Sequence, residues 1–145
     1  MFFVVVRGIA TNIIDEMNLQ GGNVKICVTS EGHDLDSKVD PRFGRCSYFI
    51  FVDTDTGKYE TVKNPNLEET GGVGIRSGKL VVEKGVEAVI SGNIGPNAFQ
   101  ALSAAKVKTY TVSSGTIREV VEKFKRGEFE ESNSPTVNPR FNPER

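Results

Sequence analysis

A single histidine, His33, and two cysteines, Cys27 and Cys46, are the whole supply of soft metal ligands in a chain of 145 residues. The cysteines lack C-x-x-C spacing and have no clustered histidines beside them, which excludes a self-contained structural zinc site. Two thiols also make no disulfide framework, so reduced thiols in a cytoplasmic protein are expected. With one histidine and no serine in a nucleophile-elbow context, a hydrolytic triad cannot be assembled. Net charge is equally scarce: 18 basic residues against 19 acidic ones leave −1. No overall field would draw such a chain onto nucleic acid or an anionic membrane, so neither is an expected partner and any anion site must be local. Long apolar runs are missing as well, and nothing approaches the ~18 residues that a spanning helix requires. The apolar start, Met1 to Val6, is not a secretory signal: Arg7 follows the run, and Asp15 and Glu16 come soon after. Such a signal places positive charge before an apolar stretch of ~7 to 15 residues.

What is present reads as an ordinary globular domain, 37% hydrophobic and 26% charged, with 15 Gly and 6 Pro. The length suits one domain with a real core and is too short for two. Residues 1–23 form an N-terminal extension with two readings. Gly21-Gly22 ahead of Val24 is what a translated ribosome-binding site would encode, with Val24 the true start; the rival is an extra strand at residues 2–6. The α/β domain itself is expected at 24–127. From 128 to 145 periodicity is lost, and Pro135, Pro139 and Pro143 stand among polar residues, which predicts a disordered tail.

Within the domain, Val24 to Ser30 is short, β-branched and nearly all apolar, as a central strand buried on both faces should be. Ser47 to Asp53 is a second apolar run, and Asp55-Thr56-Gly57 turns the chain into an antiparallel strand, Lys58 to Lys63, whose alternation fits an exposed edge. A helix follows over roughly Val73 to Lys84, with Gly85 as its left-handed stop. Glu87 to Ser91 reads as a strand, Pro96 opens a helix to about Ala105, and Val107 to Val112 is a further strand. Thr116 caps a last helix in which Ile117, Val120, Val121 and Phe124 share one face. The order β-β-β-α-β-α-β-α, with right-handed crossovers, predicts a five-stranded mixed sheet of order 3-2-1-4-5 in which only the second strand is antiparallel. The loops 31–46, 64–74, 92–96 and 113–116 would then gather at one sheet edge, where open α/β sheets bind ligands.

Two stretches at that edge carry candidate chemistry. In Asp40-Pro41-Arg42-Phe43-Gly44-Arg45-Cys46, two guanidiniums and a thiol suit an anion or a soft metal centre, and a nearby arginine would lower the thiol pKa. The bland alternative pairs Arg42 and Arg45 with Asp34, Asp36 or Asp40 to shape a long loop. In Ser91-Gly92-Asn93-Ile94-Gly95-Pro96-Asn97-Ala98-Phe99, glycines before a helix permit close approach while amides and dipole attract negative charge. The alternative there is a tight strand-to-helix turn. Gly71-Gly72-Val73-Gly74 permits similar approach but is neither a P-loop nor a dinucleotide fingerprint. His33 is either an exposed loop residue or a metal ligand at the same edge. Cys27 reads as a core residue, and Ser113, Ser114 and Thr116 as cap and turn residues.

The run VKICVTSEGHDLDSKVDPRFGRCSYFIFVD, the segment GIRSGKLVVEKGVEAVISGNIGPNAF and the closing strand and helix together resemble the dinitrogenase iron-molybdenum cofactor biosynthesis family, over about residues 24–126. The resemblance implies a ribonuclease H-like fold and a non-catalytic protein that carries an iron-sulfur or iron-molybdenum cluster or its precursor, though as isolated the protein need hold none. Its partners would be metal-cluster donor or acceptor proteins, and it would act as a monomer or weak dimer. Arg42, Phe43, Gly44, Arg45, Gly92, Asn93, Gly95 and Asn97 are the expected cluster-binding set, with Cys46 and His33 as metal ligands. A nuclease, which the fold also invites, would need converging carboxylates, and VKICVTS has none. The remaining alternative is a regulatory or interaction module that binds a small anion or a partner without metal.

Overall fold

The computed structural model describes residues 24–65 and 72–136. The apolar run after Lys25 becomes β1 (Lys25–Ser30), buried along almost its whole length. Its alternating side chains serve two cores, so both faces of the sheet must be covered. β2 (Tyr48–Asp53) pairs with it antiparallel, setting Cys27 opposite Phe51 and Val28 opposite Ile50. Gly57, at φ 79°, supplies the left-handed residue that reverses the chain into β3 (Tyr59–Lys63), antiparallel to β2. β4 (Ala88–Ser91) and β5 (Lys108–Thr111) then add in parallel on the other side of β1, giving the order β3-β2-β1-β4-β5. This is the mixed sheet that the sequence predicts.

Helices α1 (Val73–Glu83) and α2 (Pro96–Ala104) lie on one face, where Val81, Ala98 and Leu102 pack with Cys27, Phe49, Phe51 and Val89. Helix α3 (Ile117–Lys125) covers the other, setting Ile117, Val120 and Val121 against Ile26, Val28, Ile50, Val52 and Ile90. α1 and α2 approach closely because α1 has glycines where they touch. A Cβ at Gly78 would stand 3.1 Å from Ala101 Cβ, and one at Gly74 3.3 Å from the Ala98 nitrogen. That contact sets the beginnings of the two helices side by side.

Residues 1–23, including the choice between an extra strand at 2–6 and a start at Val24, lie outside the described residues, as do Gly71 and residues 137–145. Within the stretch expected to be a disordered tail, residues 128–136 make tertiary contacts. Ser132 N–H donates to Thr109 O at 2.7 Å, Thr136 N–H donates to Ile94 O at 2.9 Å, and Phe129 packs on the α3-side core. Prolines and polar residues gave no periodicity to read, yet backbone groups of β5 and of the 92–95 loop supply the partners.

Candidate functional site

The carboxyl ends of β1, β4 and β5 share one sheet edge, because β1 is parallel to β4 and β4 to β5. The loop after β1 folds back across that edge. Val39 bridges Ser30, Lys38 bridges Thr116, and Arg42 bridges Asn93. One segment therefore ties the start of α3 to the loop that leads into α2.

Its anchor is Asp40, whose side chain is 1% exposed. The carboxylate accepts from the Arg42 amide at 3.0 Å, the Ser47 amide at 3.2 Å and Arg42 Nε at 3.4 Å. The Asp40 carbonyl accepts from Thr29 Oγ1 at 2.8 Å and from the Gly92 amide at 3.4 Å, and Thr29 Oγ1 also lies 2.8 Å from Ser91 Oγ. A buried carboxylate is tolerable because donors surround it. Ser91 opens the glycine stretch that the sequence marks, whereas Thr29 was not singled out; a polar residue near the end of an apolar strand was the available signal. Asn64 was missed too. Its Nδ2 donates to the carbonyls of Gly44 at 3.1 Å and Cys46 at 2.9 Å.

Arg42 thus satisfies the bland expectation of an Asp40 pair and still presents a 62% exposed side chain. Arg45 is exposed as well. Phe43, expected in the cluster-binding set, is 1% exposed and packs edge-on to Phe49, ring centroids 5.8 Å apart. Gly92 also has another purpose than the one expected. A Cβ there would lie 2.5 Å from Pro41 Cα, so the close approach it permits is that of the protein's own loop. Gly44 rests against Val73 and Gly74 at the start of α1. Asn93, Gly95 and Asn97 are exposed, and a Cβ added at Gly95 would meet nothing within 4 Å.

Among the described residues, neither α1 nor α2 has a side-chain cap. The 42–45 turn touches both helix starts, α2 through the Arg42–Asn93 bridge and α1 through Gly44. Arg76, another residue not anticipated, lies back over the start of α1: its guanidinium is 3.4 Å from where a Gly72 Cβ would be. The rim therefore combines three arginines with two helix N-termini, whose amides and dipoles favour negative charge.

Cys46 departs from the expectation of a metal ligand. It is fully buried in the α1/α2-side core, and burial pushes its thiol far up, with nearby Asp40 adding to the rise; Arg42 opposes this more weakly. A thiol held protonated away from solvent is not a ready ligand. Cys27 is likewise buried, its pKa raised by burial first and by Cys46 second. His33 is exposed, sets its ring edge-on to Tyr48 of β2 and accepts at its carbonyl from Thr61 of β3. It stands over the β2–β3 side, while the glycine loop follows β4, two strands away from β2, or about 10 Å at ordinary strand spacing. Among the described residues no three His, Cys, Asp or Glu side chains group to hold a metal ion. Ser113 and Ser114 line a separate cleft of about 290 Å³ on the α3 side, with Glu119 and Lys123.

A sequence model of the dinitrogenase iron-molybdenum cofactor family matches residues 24–127, and the chain belongs to that family. The apo form of the orange protein from Desulfovibrio gigas superposes with a TM-score of 0.76 at 36% identity, covering 80% of this chain and 98% of that one. A Thermotoga protein with a provisional NifB designation gives a TM-score of 0.70 at 39% identity, over 79% of this chain and 98% of its own. An uncharacterized protein of Methanocaldococcus jannaschii is 31% identical over 98 residues, 66% of this chain and 83% of the relative. No helix among the described residues is long and apolar enough to cross a membrane.

Proposed function

We propose that this chain is a non-catalytic binding or carrier protein whose cargo is an anionic iron-sulfur or iron-molybdenum cluster, or a precursor of one, received from and passed to donor and acceptor proteins. The observation that carries the reading is the 42–45 turn, which joins two uncapped helix starts and adds arginines to them. Family membership supplies the class of cargo. Binding would rest on charge and backbone amides, not on direct ligation, because Cys46 is buried and His33 stands apart. A metal-sulfur cluster suits that mode, since its sulfides already occupy most metal positions. The two free buried thiols agree with work in a reducing cytoplasm.

Anaerobic incubation with a cluster donor, followed by iron and sulfide analysis, tests the reading. The wild type should acquire metal, the Arg42→Ala/Arg45→Ala double variant should acquire much less, and Cys46→Ala should still load. A wild type that takes up no metal overturns it. The second reading, an interaction module without metal, draws on one observation: a mostly apolar groove of about 450 Å³ between α1 and α2, lined by Ile75, Val82, Ala101 and Ala104, with Ile75 43% exposed. Absent metal uptake combined with partner capture that Ile75→Asp abolishes would favour it.

A further inference from the structure

The loop 92–95 is not open on all sides. Just past the C-cap of α3, Gly127 with φ 72° reverses the chain, and the segment beyond it returns around the β5 edge of the sheet. Phe129 settles on the α3-side core with Tyr110 and Phe124. Ser132 N–H then donates to Thr109 O on β5 at 2.7 Å. Finally Thr136 clasps Ile94. Its Oγ1 accepts from the Ile94 amide at 2.7 Å and lies 3.1 Å from the Ile94 carbonyl, which also accepts from the Thr136 amide at 2.9 Å. Ile94 is 1% exposed with the clasp in place.

The Ile94 amide lies one residue before the N-cap of α2, among the donors that an anion at this helix start would recruit. A hydroxyl of the chain itself occupies it. The clasp has little else behind it: apart from Phe129, residues 128–136 are largely exposed or half-buried and bury little apolar surface. Segments with few buried contacts open at low free-energy cost. The family match ends at residue 127, ahead of this segment.

We infer that residues 128–136 form a strap that masks the 92–95 loop through Thr136, and that an anionic cargo gains this helix start only by displacing it. The inference rests on the proposed anion rim. Masking predicts competition: whatever weakens the clasp strengthens cargo binding, because the opening cost no longer subtracts from affinity. Thr136→Val removes the accepting hydroxyl and keeps the branched shape, whereas Thr136→Ser keeps the hydroxyl.

Amide hydrogen exchange at Ile94 and anaerobic titration with a synthetic thiolate-ligated [4Fe–4S] cluster, both on the full chain, form the test. Thr136→Val should speed Ile94 exchange at least tenfold and tighten cluster binding several-fold, with Thr136→Ser close to wild type in both. Unchanged Ile94 exchange in Thr136→Val would show that the clasp holds nothing, whatever binds. Faster exchange with equal cluster affinity would overturn masking while leaving the anion rim standing. Faster exchange with no cluster binding by any of the three proteins would overturn the rim reading and the masking with it.

Discussion

Two loops at the same sheet edge start helices in opposite ways. The β5–α3 loop is self-sufficient: Thr116 accepts from the Glu119 amide at 3.2 Å, and the Glu119 side chain accepts from the Thr116 amide at 3.0 Å, a complete capping box. The β4–α2 loop has no side-chain cap. Its glycine is used by Pro41 and its Ile94 amide by Thr136, a residue 42 positions later. Where the local sequence closes a helix start, the start is structural. Where it does not, donors remain for distant segments or for a ligand, and that side of the edge carries Arg42, Arg45 and Arg76.

Removing the anchor on the uncapped side should do the most damage. Asp40→Ala leaves the part-buried Ser47 and Arg42 amides without their acceptor and should cost about 2 kcal/mol, read as a lower urea midpoint at unchanged slope. A loss no greater than that of an average surface substitution would mean that the two sides do not differ as described.

Alkaline pH should act next, through the α1/α2 side, which holds both buried thiols. The folded protein keeps these protons while the unfolded chain releases them above the ordinary thiol pKa of about 8.5. The unfolded state then binds fewer protons, so stability is flat below that pH and falls above it, by up to about 1.4 kcal/mol per pH unit for each thiol. Cys27→Ala/Cys46→Ala should flatten the profile, whatever its effect on stability at neutral pH. A wild-type profile that stays level between about pH 8.5 and 10 would contradict the burial.

Thr116→Ala sharpens the comparison from the capped side. It should cost about 1 kcal/mol in denaturant unfolding and leave metal loading unchanged. Arg42→Ala should show the converse. Its exposed side of the ion pair is worth roughly 0–1 kcal/mol, and Asp40 keeps its Ser47 and residue-42 backbone donors, so unfolding should barely move while cluster loading drops.

Legibility in the sequence followed the same divide. The hairpin glycine, the Gly85 helix stop at φ 76°, the Thr116 cap and the face formed by Ile117, Val120 and Val121 are all local signals, and each is present where the spacing predicts it. The sheet order followed from connection rules alone. The site was legible only in part. Arg42 and Arg45 stand out as charge in a long loop and are exposed, whereas a loop pattern does not show that Phe43 and Cys46 turn inward. Arg76 and Thr136 carried no signal, since one lies in an ordinary helix and the other in a proline-rich tail.

Which segments are strands and helices can be read along the chain, because alternation, helical spacing, caps and turn glycines act over a few residues. Tertiary structure alone decided that Gly92 makes room for Pro41, that the thiol of Cys46 is sealed in the core, and that Thr136 closes on Ile94. Each of these joins backbone or side-chain groups far apart in the chain, and such pairings are set by how the sheet edge brings its loops together, not by the pattern of any one segment.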